Sequence, residues 1–407
     1  MADRRRRHVT FVALGLALLV GGGLSADPRL AEGTDDVDAQ VGTAKRVIAI
    51  GDVHGALDPL HRILQEVGVT DSEHRWIGGS TILVQTGDVL DRGSKVREVV
   101  AFLRALQEQA EQAGGQVIVL LGNHEALNLI YDLRDVNERI VRHFAARNTD
   151  ARRTKFCEDK VDTLRRRARR AGATPPDRVA AHARCMETTP KGWLEYVDAL
   201  APDGEIGAWM RTLPAAARVG DLLFVHGGFA PDLPLDMATI NARVADEIAV
   251  FDSVRAELLD RELIFEDSQL VEIHGAARAL LDRRRRALDR RILDVPRWLL
   301  VAPEGPLWFR GYAQWNEDEG LSAMRRVVDQ RKARAVIVGH TPQRDKSIQR
   351  RFDGRAYLID TGMLESVYGG RPAALEFAGD RVTAVYLDGR EDLSRGSAEA
   401  RGEVAIE

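Results

Sequence analysis

From Lys45 onward the chain alternates two textures: short apolar, β-branched runs, and longer stretches in which apolar positions recur every three to four residues. Short apolar runs closed by Gly and polar residues read as buried strands, and the helical spacing between them reads as connecting helices. Strands are predicted at 46–50 (RVIAI), 81–86 (TILVQT), 116–121 (QVIVLL), 221–225 (DLLFV), 334–338 (RAVIV) and 356–360 (AYLID), with helices near 57–67 and 95–112. A last hairpin, AALEFAGDRVTAVYLD, is predicted to turn at Gly379 and Asp380. The pattern is that of an α/β protein, whose ligands collect at the C-terminal ends of strands.

Two charged helical stretches, about 126–215 and 236–330, interrupt this rhythm as long insertions, and no repeat of fixed period is present. Residues 391–407 are polar and are expected to form a loose tail. The first 26 residues have a basic start, a short apolar core and small residues around Ser25 and Ala26, which is the layout of an export signal. Cleavage is the expectation, with an uncleaved anchor as the alternative if the apolar stretch extends to Leu24. Arg6 and Arg7 also fit a twin-arginine signal loosely. Residues 27–44 then form a linker, and the mature protein is expected in the periplasm or outside the cell.

Composition narrows the picture. With 407 residues, 44% of them hydrophobic, the chain can bury a large core. Lys plus Arg total 58 against 62 Asp plus Glu, a net charge of −4 that argues against nucleic acid as the main partner. The Arg clusters, such as LRRRARR and LDRRRRALDRR, have acidic residues in or near them and read as solvated helix faces. Cys157 and Cys185 are too few to build a disulfide scaffold. In an oxidising compartment they either pair across one insertion or remain two isolated buried thiols.

The chemistry lies where the strands end. GDVHG supplies Asp52 and His54, GDVLDRG supplies Asp88, Asp91 and Arg92, and GNHE supplies Asn123, His124 and Glu125; HGG and GHTP add His226 and His340. Five consecutive strand ends thus bring carboxylates, imidazoles and an amide to what is expected to be one edge of a sheet. Such a mixture suits borderline-to-hard divalent ions, and there are enough groups for two ions that share a carboxylate. Any one of these loops alone would read as an ordinary strand cap. The other six histidines (His8, His61, His74, His143, His182, His274) stand outside the loops and are read as ordinary packed or surface residues.

The ordered set GDVHG, GDVLDRG, GNHE, HGG and GHTP resembles the calcineurin-like metallophosphatases, and within them the phosphoprotein phosphatase family. PLWFRGY (306–312), LIDTGM (358–363), the insertions and the export signal look most like its bacterial, Shewanella-like branch. The resemblance spans about 45–390, dense at the loops and weak across the insertions. It implies a catalytic domain of two facing mixed β-sheets flanked by helices, with two divalent ions (Mn, Fe or Zn) at the central edge. By motif position, Asp52, His54 and Asp88 would hold one ion and Asp88, Asn123, His226 and His340 the other. His124 would be the general acid, oriented by Asp91, while Arg92 and Arg310 would bind the substrate phosphate. Tyr368 is a further residue within reach of the site, and Glu125 reads as support for its loop.

The activity this implies is hydrolysis of phosphomonoesters by a metal-bridging hydroxide, with His124 protonating the leaving group. Phosphorylated Ser, Thr or Tyr in proteins or peptides are the expected substrates, alongside small phosphomonoesters. Hydrolysis of dinucleoside polyphosphates or phosphodiesters is the alternative within the same architecture. A catalytically dead phospho-ligand binder is the non-enzymatic one; the intact ligand set, acid and orienting Asp argue against it. No nucleic-acid partner is expected, and membrane contact only through an uncleaved N-terminus. The insertions either cover the pocket and select substrates or are peripheral.

Overall fold

The computed structural model describes residues 46–282 and 288–394. The export signal and the linker lie outside the described residues. Among those described, no helix is long and apolar enough to cross a membrane.

Among the described residues eleven strands form two sheets. In chain order they are β1 (Val47–Ile50), β2 (Ile82–Gln85), β3 (Gln116–Val119), β4 (Ala216–Val219), β5 (Leu222–Val225), β6 (Ala335–Val338), β7 (Gln349–Arg351), β8 (Ala356–Leu358), β9 (Ala373–Ala378), β10 (Arg381–Tyr386) and β11 (Gly389–Asp392). One sheet has the order β11-β10-β9-β1-β2-β3 and the other β4-β5-β6-β8-β7. In the first sheet β1, β2 and β3 run parallel at one end while β9, β10 and β11 pair antiparallel at the other; in the second the central β5, β6 and β8 run parallel and the edges β4 and β7 antiparallel. The architecture is therefore the expected pair of mixed sheets.

Period-two alternation explains why the strand sequences read as unbroken apolar runs. In β1, Val47 and Ala49 join a cluster with Phe224, Ile337 and Tyr357 of the other sheet, whereas Ile48 and Ile50 join the core under the helices Leu57–Glu66 and Val96–Gln112. Both faces are buried, so no polar face breaks the run. Three strands escaped the sequence reading, and each has a reason. β4 lies in the last residues before a tight hairpin at Gly220, β7 is the polar triplet Gln349–Arg351 at an edge, and β11 is wholly exposed. β11 also corrects the start of the expected tail, because Glu391 and Asp392 pair with Ala384 and Thr383 and Leu393 is buried. Residues 395–407 of that tail lie outside the described residues.

Both stretches are helical. The first carries the helices Thr149–Arg170 and Arg178–Thr188, which Cys157 and Cys185 join as a disulfide. The second carries Met237–Asp260, Leu270–Asp282 and a 3-10 helix, Arg290–Arg297, and they pack on one another: the Lys160 ammonium meets the Asp267 carboxylate at 2.6 Å, and Arg255 lies 3.9 Å over the Tyr131 ring.

Candidate metal centre

The loops after β1, β2 and β3 meet those after β5 and β6. The expected single sheet edge is thus corrected: three of the five strand ends belong to one sheet and two to the other, and the site spans the gap between the sheets. Every ligand position of the sequence reading is here and buried: Asp52, His54, Asp88, Asn123, His226 and His340 are each at most 5% exposed.

Close approach of loops explains the glycines. A Cβ on Gly122 would sit 2.2 Å from the Asp88 backbone nitrogen and carboxylate, and one on Gly87 would meet Gly122 at 2.5 Å. Several side chains are aimed by left-handed backbone at non-glycine residues: His54 (φ 48°), Asp88 (58°), Asp91 (64°), Arg92 (64°) and His340 (67°). Such conformations persist only where surrounding bonds over-determine them. Glu125 provides that constraint. Its fully buried carboxylate accepts from the backbone nitrogens of Asp88, Val89, Leu90 and Gly122, at 2.8 to 2.9 Å, and so fixes the turn that presents Asp88.

Two groups of donor atoms converge, one of His54, Asp88 and His124, the other of Asp88, His226 and His340, each with atoms within 4.8 Å of one another. Asp88 belongs to both. The Asp52 carboxylate adds to the first, 4.0 Å from His54 Nε2, while its other oxygen accepts from the His340 backbone at 3.0 Å. The Asn123 carbonyl joins the second, 2.9 Å from His226 Nε2.

Whether these residues fit metal ions is tested by what holds the imidazoles. His54 Nδ1 donates to the Leu90 carbonyl at 2.8 Å, His226 Nδ1 to the Thr86 carbonyl at 2.8 Å, and His340 Nε2 to the Trp308 carbonyl at 3.1 Å. A ring that donates one N–H to the backbone keeps its other nitrogen's lone pair for a cation, the usual support of a metal-bound histidine. Burial, the largest influence, lowers His54 to about 4 and His340 to about 2, so both are neutral near pH 7. The donor set fits divalent ions.

His124 is held differently. Its Nδ1 donates to an Asp91 carboxylate oxygen at 2.7 Å, and its Nε2 lies 3.9 Å from Asp88. Burial opposes its charge, but Asp88 and the Asp91 bond outweigh burial and raise it to about 9. The Asp91 oxygen is itself held by Asn128 Nδ2 at 3.0 Å, and the Tyr196 hydroxyl donates to Asn128 Oδ1 at 2.6 Å. A line of bonds therefore runs from the first insertion to the His124 ring.

The two arginines flank the centre. Arg310 Nη1 donates to the His340 carbonyl at 3.1 Å and to Thr341 Oγ1 at 3.0 Å, while Arg92 Nη1 pairs with Asp135 at 3.0 Å. Tyr368 stacks, tilted, 5.5 Å from the His54 ring. Sequence reading missed four residues here: Asn128, Asp135, Tyr196 and Asp360. Asn128 lies one helical turn after His124, and Asp360 ends an apolar run as the other site carboxylates do, so both had a signal. Burial, the largest cause, pushes Asp360 up to about 6, and its Oδ2 has no hydrogen-bond partner among the described residues. Asp135 and Tyr196 sit inside an insertion with nothing in the local pattern to single them out.

Buried carboxylates, an amide and backbone-tethered imidazoles, gathered where two mixed sheets meet, define a metal-dependent phosphoesterase site. The chain belongs to the calcineurin-like phosphoesterase family, whose sequence model matches residues 45–344. It is 35% identical to Shewanella-like protein phosphatase 2 of Arabidopsis thaliana over 207 residues, covering 49% of this chain and 51% of that protein, about half the length of either. Shewanella-like protein phosphatase 1 of Plasmodium berghei is 24% identical over 347 residues, 84% of this chain and 74% of that one. Among solved structures, a cold-active protein-tyrosine phosphatase of a psychrophilic Shewanella species superposes with a TM-score of 0.56 at 24% identity, covering 86% of this chain and 80% of that one, a likeness of fold.

Proposed function

We propose that the protein hydrolyses phosphomonoesters, with phosphorylated Ser, Thr or Tyr of proteins or peptides as its substrates. One observation carries the reading: a single imidazole of the site, His124, is tethered by a carboxylate, whereas the three beside it are tethered by backbone carbonyls. A carboxylate tether favours the protonated ring, whereas a carbonyl tether fixes the tautomer and leaves the other nitrogen's lone pair for a cation.

Asp52, His54 and Asp88 would hold one ion, and Asp88, Asn123, His226 and His340 the other. Two divalent ions of the Mn, Fe or Zn type supply the charge that polarises a phosphoryl oxygen and acidifies water. Arg92 and Arg310, on either flank, pair with the remaining phosphoryl oxygens, for which a planar guanidinium is suited. His124 delivers the Nε2 proton to the departing alkoxide or phenoxide, and Asp91 keeps the ring aimed and charged until it does. The resemblance to Shewanella-like protein phosphatases supports a protein substrate. So does a cleft of about 980 Å³ that shares Trp308 and Arg310 with the metal edge and leaves room for chain beside the phosphate. We assign the protein to the exported class on its N-terminal pattern, and the disulfide agrees with an oxidising compartment.

The test is a substrate panel on metal-reconstituted protein: p-nitrophenyl phosphate, its bis ester, phosphopeptides and a dinucleoside polyphosphate. Phosphopeptides are expected to give the highest kcat/KM. A clear preference for the bis ester or the polyphosphate would replace the monoesterase reading.

A further inference from the structure

The segment 132–137 of the first insertion touches Arg92 twice. The Asp135 carboxylate pairs with Arg92 Nη1 at 3.0 Å, and Asn137 Nδ2 donates to the Arg92 carbonyl at 3.0 Å. The segment is itself fixed. Asn137 Oδ1 caps the helix Glu138–Arg142 by accepting from the nitrogens of Arg139 and Ile140, and Leu133 and Ile140 are buried. Asp135 is therefore a carboxylate on a rigid support, its side chain 22% exposed, facing an arginine that is 37% exposed.

A guanidinium presents five N–H donors, and its side-on edge, Nε with Nη2, grips two oxygens of one phosphate. Asp135 takes Nη1 and makes no bond to that edge. Nε is buried and has no hydrogen-bond partner among the described residues, a cost that a phosphoryl oxygen would relieve. An unpaired arginine at the mouth of a site samples many rotamers and loses that freedom when substrate binds. We propose that Asp135 is a positioning residue for substrate binding: it holds the Arg92 fork, before substrate arrives, with its side-on edge turned to the phosphate. Asp135 does not touch the phosphate. It also lies 3.9 Å from His124 Nδ1, but Asp91 at 2.7 Å already holds that nitrogen, so the effect of Asp135 runs through Arg92.

This rests on Arg92 being a phosphate ligand, so the experiment tests both. Steady-state kinetics with p-nitrophenyl phosphate, and inhibition by inorganic phosphate, would be measured on the metal-loaded full chain. The proteins are wild type, Asp135→Ala, Asp135→Asn, Asp135→Glu, Arg92→Ala and the double variant Arg92→Ala/Asp135→Ala. Asp135→Ala should raise KM and the phosphate inhibition constant about fivefold to tenfold and shift kcat by less than about twofold, the pattern of lost uniform binding. Asp135→Asn should do the same, and Asp135→Glu should restore at least half of the affinity. In the Arg92→Ala background, adding Asp135→Ala should change nothing, since the partner is already gone. Unchanged or tighter phosphate binding in Asp135→Ala, or an equal loss without Arg92, overturns the positioning role. If Arg92→Ala itself leaves phosphate inhibition at the wild-type value, the phosphate-ligand reading fails instead. Thermal melts of every variant separate these results from unfolding.

Discussion

The two insertions are alike in length and in their share of charged residues, yet they meet the site in different ways. The first enters from behind His124: Tyr196 holds Asn128, Asn128 holds Asp91, and Asp135 with Asn137 holds Arg92. The second meets it through its own residues Trp308 and Arg310, where the Trp308 carbonyl takes the His340 N–H and Arg310 meets the His340 carbonyl and Thr341. The first is wired to His124 and Arg92, the second to His340 and the cleft beside it. An excursion between catalytic strands is thus part of the site where it donates polar bonds to it, and its distal helices, held by the disulfide, stand apart from that wiring.

The broadest way to break the comparison is to remove what both sides share. Asp88→Asn should lose metal from both halves and reduce turnover by about a thousandfold or more, since each cluster contains Asp88. Metal content by elemental analysis beside phosphatase assays would show it, and full activity would refute the shared-ligand role. His124→Asn removes the group on which the first insertion acts. Metal should stay bound while kcat for an alkyl phosphate falls about 10² to 10⁴-fold, and less for p-nitrophenyl phosphate, whose leaving group needs little help from an acid. Lost metal in that variant would make His124 a ligand.

A pH profile sharpens the same point. The acid must be protonated to act, and His124 is raised to about 9, so activity should fall as pH climbs toward that value; divalent charge nearby places the limb at or below it. Asp91 favours the charged ring, so Asp91→Asn should shift this limb to lower pH by about one unit or more. Tyr196→Phe removes the last bond of the line, and kcat should drop about twofold to fivefold, on the scale of one buried hydrogen bond acting at a distance. Replacing Cys157 and Cys185 by Ser should cost about 2–4 kcal/mol in denaturant unfolding and leave kcat/KM for p-nitrophenyl phosphate as it was. A large loss of turnover there would bring the distal helices into the site after all.

Sequence showed the site more fully than it showed the fold's margins, for physical reasons. A catalytic strand here must be apolar on both faces and end in a tight polar turn, so GDVHG or GNHE marks its own strand. β7 and β11 carry no apolar pattern because they lie at edges, one half-buried and the other exposed, and their pairing comes from neighbours far along the chain. Asp135 and Tyr196 act across 43 and 68 positions from Arg92 and Asn128, distances that only folding closes.

The left-handed turns at His54, Asp88, Asp91, Arg92 and His340 have a consequence for how such an enzyme can change. Each costs about 1–3 kcal/mol for a residue with a side chain, and each would be relaxed by glycine. Selection for heat resistance alone would therefore reward the very substitutions that erase these side chains from the candidate site. Laboratory evolution of a hardier variant should keep those positions only while turnover is scored in every round, and thermostability should be sought in the outer helices instead.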